Sequence, residues 1–342
     1  MTGPPPTAAQ AVPVAPDAPD RPAVRAALPS VSVVMPCYNA EAFIGQAIRS
    51  VLDQRYAGRL QLIVVDDGSS DRSAEVAESF PEVTLLRQRN GGPAAARNRG
   101  IALATGELVA FLDADDQWTA GSLMARVDCL LADPGISVAF GDLSQWFPDG
   151  EAGTAPSDEA WPLPDFLDPA LASGWLYPHI LLDTIISIIT ALVRRQVFDA
   201  VGVFDESLRM GEDYEFWIRV AQAHRFRKVD RVVARYRRHA GGTTLETRVE
   251  ISEYEVVRAA MSRYGLAGAG RLALPRGALA RRLYRLCFDH GYFHYWHGDP
   301  RVAADSFRKA IGHRALQPKA LAYLAAAGLK CLGRRRAPRR LR

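Results

Sequence analysis

The sequence predicts a doubly wound α/β domain, with a mainly parallel mixed sheet flanked by helices, followed by a helical C-terminal extension. Three observations carry this reading. From Val31 onward, short β-branched runs alternate with segments of helical periodicity. Each run ends in a polar stretch rich in Gly, Asp and Asn, which is where the ligand crevice of such a sheet lies, outside the carboxyl ends of its strands. After about residue 250 only helical patterns remain. With 342 residues, 48% hydrophobic and 23% charged, the chain holds enough apolar material for one large core or two, which excludes a disulfide-stapled miniprotein.

Residues 1–29 are rich in Pro and poor in bulky apolar side chains, too little burial to offset ordering entropy, and are expected to form a disordered leader. Strands are expected at 31–35 (VSVVM), 60–65 (LQLIVV), 83–86 (VTLL), 107–112 (ELVAFL) and 136–140 (ISVAF). Between the first two, Ile44, Ala47, Ile48, Val51 and Leu52 form one apolar helical stripe, with Asn39 as its expected cap. Further helices are expected at 70–80, 93–104 and 120–132, so that a helix follows each strand and the sheet core is parallel. Residues 141–178 read as a long loop, and a loop of that length in a compact domain is expected to face substrate. The run IISIITALV at 185–193 is well short of the ~20 residues that span a bilayer, so it reads as buried protein. Helices are expected at 281–296, 300–312 and 318–332. Ala303, Phe307 and Pro318 match the spacing of one tetratricopeptide unit, and because about three stacked units make a solenoid, this stretch reads as a helical appendage.

The formal charge is +4, but the last twelve residues hold six arginines, and without them it is −2. Nucleic-acid binders spread basic charge over a folded face, so no nucleic-acid partner is expected. Cys37, Cys129, Cys287 and Cys331 lie far apart with no C-x-x-C pair. Only Cys287 has histidines near it, His290 and His294, with no evident fourth ligand, so neither disulfides nor structural zinc is expected. The first thirty residues lack the basic start and apolar core of a signal peptide, and a cytoplasmic location is expected. The end of the chain, ALAYLAAAGLKCLGRRRAPRRLR, joins an apolar helix to clustered arginines; it suits peripheral contact with anionic lipid at the inner face of a membrane, or a solvated basic tail.

The polar strand ends carry the chemistry. Asp113 and Asp115 lie two apart at the end of a strand, so an extended backbone points both carboxylates to one side. Such hard oxygen ligands suit Mg²⁺ or Mn²⁺ bridging to phosphate oxygens; taken alone, they also read as a solvated loop or a helix cap. Asp66 and Asp67 end the second strand. Gly91-Gly92-Pro93 opens a helix whose free N–H groups would face an anion in the same crevice, and Arg97, one turn in, adds a charge for a phosphate or base.

This arrangement strongly resembles the inverting glycosyltransferase family 2, with its GT-A fold. The matching text is VSVVMPCYNAEAFIGQAIRSVLDQ, LIVVDDGSSDRS, NGGPAAARNRGIALATGELVAFLDADD, and later VGVFDESLRMGEDYEFWIRVA followed by YRRHAGGTT, spanning about residues 31–244. The resemblance implies a nucleotide-sugar donor, a divalent metal (Mn²⁺ or Mg²⁺), and a glycan, lipid-linked glycan or other hydroxyl acceptor in cell-envelope or extracellular polysaccharide synthesis. By it, Pro36, Tyr38 and Glu41 line the nucleoside pocket, with Tyr38 offering a face to the base. Asp66 or Asp67 accepts from the base, most often uracil, and Arg97 sits near the base or phosphates. Asp113-Ala114-Asp115 is the family's D-x-D, with Asp113 toward the ribose and Asp115 toward the metal. The domain would then span 30–250, its 30–140 half holding the donor and its 141–250 half the acceptor and catalytic base, followed by a helical region at 251–332 and a basic tail at 333–342.

Tyr214, Trp217, Ile218 and Ala221 recur at helical spacing, which puts Asp213 in the first turn of an amphipathic helix, where the dipole favours a carboxylate. In the family, the Asp of this E-D pair is the general base that deprotonates the acceptor hydroxyl. His239, by the same resemblance, lies near the metal or diphosphate, though a loop histidine also reads as merely exposed. Arg237 and Arg238 would neutralise the leaving diphosphate or form surface charges. One departure is VGVFD at 201–205, where the family has Gly-Gly-Phe-Asp, and Cys37 reads as a bystander. Two other readings compete. A sugar-phosphate nucleotidyltransferase needs a glycine-rich loop straight after its first strand, where this chain has PCYNAEAF. A non-enzymatic membrane-peripheral interaction protein leaves the acidic strand ends unexplained.

Overall fold

The computed structural model describes residues 27–146, 159–160, 173–239, 249–270 and 274–336. Most of the expected leader and much of the expected loop at 141–178 lie outside the described residues. Among them stands one eight-stranded mixed sheet in the order β3-β2-β1-β4-β7-β6-β8-β5. Its strands are β1 (Val31–Cys37), β2 (Leu60–Asp66), β3 (Val83–Arg87), β4 (Leu108–Phe111), β5 (Gln117–Trp118), β6 (Ile136–Trp146), β7 (Leu192–Arg194) and β8 (Arg225–Arg237). β1, β2, β3 and β4 pair in parallel, as expected of strands separated by helices; β7 is antiparallel to both β4 and β6, while β6 and β8 are parallel.

The helices are α1 (Ile44–Leu52), α2 (Ser73–Glu78), α3 (Pro93–Leu103), α4 (Ser122–Ala132), α5 (Tyr177–Ile180), α6 (Gln196–Val201), α7 (Glu212–Ala223), α8 (Ser252–Tyr264), α9 (Arg276–His297), α10 (Pro300–His313) and α11 (Pro318–Arg336). The α1 stripe packs on the sheet, with Ile44, Ala47, Ile48 and Val51 buried. α3 lies unusually close to β1, because a Cβ on Gly100 would collide with the Val34 side chain. An aromatic cluster holds α7 against the sheet: Phe204 meets Phe111 and Phe216 with ring centroids 5.5 and 4.6 Å apart, and Trp217 meets Phe226 at 6.3 Å. The apolar run at 185–193 is buried, as expected.

Several local expectations are corrected. Asn39 does not cap α1, whose N-cap position is Phe43 without a side-chain bond; its Oδ1 instead accepts from Ser70 N. The expected loop from 141 begins as strand, because β6 continues to Trp146 alongside β8. The end of the expected leader is tied down, since the Pro29 carbonyl accepts from Tyr56 Oη at 2.7 Å.

Candidate active site

Strand order turns back between β1 and β4, and the crevice of a doubly wound sheet opens at that point. Pro36 is half-buried near the end of β1, and Tyr38 just beyond it is 55% exposed. The loop after β1 is laced to the loop after β2. Asn39 takes a left-handed φ of 48° and donates its N–H to Ser69 Oγ, while Glu41 Oε2 accepts from Arg72 N at 2.9 Å.

The two aspartates ending β2 differ. Buried Asp66 accepts from Ser69 N at 3.1 Å and lies 3.4 Å from Arg87 Nε. Asp67 is fully engaged with the approach to α3: Oδ1 accepts from Gln88 Nε2 and Gly91 N, and Oδ2 from Gly92 N, each at 2.8 Å. The glycine N–H groups expected to face an anion are thus already satisfied by a carboxylate from the protein itself.

Arg97 is buried, one turn into α3, and both arms of its guanidinium are occupied. Nη2 donates to Asp113 Oδ1 at 2.8 Å and Nη1 to Glu212 Oε1 at 2.7 Å. Burial opposes the charge on Arg97, and the two carboxylates more than offset it. Glu212 opens α7 after Gly211, whose φ of 79° suits a glycine, and Asp213 follows it. Asp213 Oδ1 accepts from Tyr214 N at 2.8 Å. Burial, reinforced by the neighbouring Glu212 and tempered by Arg97, pushes its carboxyl up to about 6. Asn98, next to Arg97, clamps the segment before α7: its side chain donates to Phe204 O and accepts from Phe204 N, both at 2.9 Å.

Asp115 and His239 meet across 124 residues of chain, with Oδ2 and Nε2 3.1 Å apart. Burial and Asp113 raise the Asp115 carboxyl above its ordinary value, while His239 pulls it down. Between the two aspartates of the D-x-D, Ala114 is buried. Asp116, next along, is buried; Oδ1 accepts from Arg237 N at 2.8 Å and Oδ2 has no partner among the described atoms. Burial, with Asp115 and Asp113 adding to it, lifts its carboxyl well above the ordinary range. Arg237 is a buried strut: Nε donates to Asp115 O at 2.8 Å, Nη2 to Gln46 Oε1 at 2.7 Å, and its guanidinium lies over the rings of Phe43 and Trp146.

The structure thus brings Arg97, Asp113 and Asp213 to one side of the crevice, and Asp115 with His239 to another part of the same D-x-D turn. Sequence reasoning assigned no role of their own to Glu212, Asn98, Gln46 and Asp116. Two of them stand beside residues already singled out, Glu212 before Asp213 and Asp116 after Asp115; Gln46 and Asn98 carry no local sign. A groove of about 850 Å³ opens beside the start of α7, lined by Gly91, Gly92 and Pro93 of the α3 approach, by Leu208, Arg209 and Met210, and by Val249, Glu250 and Ser252. The Cys37 thiol is buried and pushed up to about 12, chiefly by that burial, which suits a bystander. Among the described residues no cluster of three or more His, Cys, Asp or Glu could hold a metal ion.

Residues 32–150 match the family model described as glycosyl transferase family 2. The chain is 28% identical over 257 residues to the uncharacterized glycosyltransferase EpsJ of Bacillus subtilis, covering 71% of this chain and 72% of EpsJ. It is 28% identical over 195 residues to the putative teichuronic acid biosynthesis glycosyltransferase TuaG of the same organism, covering 56% of this chain and 71% of TuaG. Among solved structures it resembles S. aureus TarS residues 1–349 in complex with UDP-GlcNAc, with a TM-score of 0.62 at 19% identity, covering 89% and 88% of the two chains. It also resembles the mannosyltransferase PcManGT of Pyrobaculum calidifontis in complex with GDP-Man and Mn²⁺, with a TM-score of 0.53 at 22% identity, covering 90% and 81%. Residues 32–150 thus carry the match to glycosyl transferase family 2, and the chain has a GT-A type fold.

Proposed function

We propose that this chain transfers a sugar from a nucleoside-diphosphate sugar, a UDP-sugar, to an acceptor hydroxyl in one displacement with inversion, in the synthesis of a cell-envelope or extracellular polysaccharide or glycolipid. The observation that carries the reading is the link between the D-x-D and the base. Arg97 ties Asp113 to Glu212, the residue before Asp213, so the candidate donor site and the candidate base share one rigid bridge. A carboxyl titrating near 6 is deprotonated at neutral pH yet retains useful basicity, the condition for general-base work.

In the proposed step, Asp213 takes the proton of the acceptor hydroxyl as its oxygen bonds to the anomeric carbon. The bond from that carbon to the diphosphate oxygen breaks, and the nucleoside diphosphate leaves with the electron pair. Pro36 and Glu41 border the nucleoside, and Tyr38 supports stacking under the base. Asp66 or Asp67 accepts from the base, with Asp66 keeping the greater free capacity because Asp67 already holds three donors. Ala114, small and buried, keeps the turn between the two aspartates close to the sheet.

Asp115 Oδ2 and His239 Nε2 face one another as an oxygen and a nitrogen donor, a pair that would help to hold a divalent ion. When bound, Mn²⁺ or Mg²⁺ there would neutralise charge on the diphosphate. The Mn²⁺ and GDP-Man bound by PcManGT and the UDP-GlcNAc bound by TarS support this donor class. The teichuronic acid role in the name of TuaG supports a polysaccharide product. The groove beside α7 supports an acceptor position within reach of that helix's first turn. The test is to incubate the protein with a panel of UDP- and GDP-sugars and Mn²⁺, read nucleoside diphosphate release, and determine the anomeric configuration of the product by NMR. Retained configuration would contradict the single displacement.

A further inference from the structure

Twelve large apolar side chains stand out as exposed among the described residues, and seven of them lie between residues 292 and 332: Tyr292, Phe293, Trp296, Leu316, Leu321, Leu329 and Leu332. They are not scattered. On α11, the exposed positions between Leu321 and Leu332 include Leu321, Ala322, Ala325, Leu329 and Leu332, which recur at helical spacing and give a solvent-facing apolar stripe. Leu329 is 70% exposed and Leu332 59%. The inner face of the same helix is used, because Ala320 and Ala327 are buried and Tyr323 stacks on Phe307 with centroids 5.5 Å apart. A helix that packs through one face and leaves an apolar stripe on the other has a second surface to cover.

α9 extends this surface. Lys330 donates to Tyr295 O at 2.9 Å and lies 5.1 Å from the Trp296 ring, which places Trp296, 55% exposed, beside the Leu329 turn of α11. Tyr292 joins them through Tyr323 at 5.2 Å. Aromatic rings with a polar edge beside leucines and lysines are suited to the boundary between headgroups and acyl chains.

Charge identifies the occupant. Between residues 276 and 336 there are thirteen Lys and Arg against three Asp and no Glu, and three more arginines follow at 339, 340 and 342. The whole chain is only +4, so residues 1–275 carry −9 and the positive charge is segregated into the C-terminal part of the sequence that carries this apolar face. A second copy of the chain would bring the same positive region against itself, whereas an anionic surface is attracted to it. No helix among the described residues is long and apolar enough to cross a membrane, which leaves a helix lying in the interface.

We infer that the outer face of α11, with the exposed aromatic edge of α9, docks on the surface of an anionic lipid bilayer. α11 lies along the interface with Leu321, Leu329 and Leu332 among the acyl chains, and the lysines and arginines meet the headgroups. The inference stands apart from the sugar-transfer reading and its test needs no donor.

The experiment is co-sedimentation of the full chain with vesicles of phosphatidylcholine, with and without phosphatidylglycerol, alongside sedimentation velocity without lipid. Binding to the anionic vesicles is expected to be at least about tenfold tighter than to the neutral ones and to weaken with salt. The paired substitution Leu329→Glu and Leu332→Glu is expected to reduce it at least about tenfold while leaving the far-UV circular dichroism unchanged, because both residues are exposed. Trp296→Ser, on the other helix, is expected to weaken binding in the same direction and supplies the test should the paired variant misfold. Equal binding to both vesicle types would overturn the inference, as would no binding to either. Undiminished binding of both variants would assign the attraction to the arginines alone and overturn the role of the apolar face. A lipid-free dimer that the paired variant dissociates, without vesicle binding, would make this face an interface between copies.

Discussion

Arg97 Nη1 donates to Glu212 Oε1 at 2.7 Å, joining the helix that follows β3 to the helix that carries Asp213. The partners are 115 residues apart in sequence, and both are buried. With its other arm on Asp113, Arg97 links the D-x-D directly to the start of α7.

Removing that bridge leaves the buried Glu212 and the part-buried Asp113 without their cation. Breaking a buried pair by deleting one partner costs about 3 to 5 kcal/mol, so Arg97→Ala is expected to lower the thermal midpoint markedly and to abolish turnover. Arg97→Lys, which keeps the charge but not the fork, is expected to fall between. Calorimetry with a turnover assay checks both, and an Arg97→Ala protein of unchanged stability would contradict the bridge.

Asp213→Asn is expected to reduce kcat by about 10²- to 10⁴-fold while leaving nucleotide affinity unchanged. Because the proposed base acts ionised, wild-type kcat is expected to rise with pH through about 6 and level off above it. Stability runs the other way. The folded protein holds this proton more tightly than the unfolded chain, so stability falls as pH rises from about 4 to about 6. Above that window Asp213→Asn is expected to be more stable than wild type, by as much as about 3 kcal/mol. Denaturant titrations at pH 5 and pH 8 measure it.

Asp67 accepts from two successive glycine N–H groups and a glutamine, so its first role is to shape the entry to α3. Asp67→Ala strands those donors and is expected to cost about 1 to 3 kcal/mol and to weaken nucleotide binding through the displaced loop. Chemical denaturation, followed by nucleotide titration of the folded variant, separates the two effects.

Tyr38 leaves more than half its surface open beside the crevice. Stacking of a base on an aromatic ring is worth about 1 to 3 kcal/mol, so Tyr38→Ala is expected to weaken nucleotide binding by roughly 5- to 150-fold, and Tyr38→Phe to leave it nearly unchanged. Equal losses in the two variants would move the contribution to the hydroxyl.

β1, β2 and β4 were legible because strands buried on both faces read as continuous apolar runs. β8 was not, since RFRKVDRVVARYR is rich in charge and only four of its thirteen residues are buried. β5 and β7 span two and three residues, too short for periodicity to register. At the site, Asp113, Asp115 and Asp213 stood out by their motifs. What they touch did not: the partners of Arg97, the strut made by Arg237 and the meeting of Asp115 with His239 join segments more than a hundred residues apart, or depend on burial. Arg237 had read as a phosphate or surface charge, and the cation–π contacts with Phe43 and Trp146 follow only from the packing of α1 and β6 against β8.

The most direct test is calorimetric titration of the purified protein with UDP, TDP and GDP, with and without Mn²⁺, for wild type and Asp115→Ala. The account predicts binding of UDP that requires Mn²⁺ and is lost in Asp115→Ala. Failure of every nucleotide to bind under every condition would contradict the assignment of a nucleotide-sugar donor.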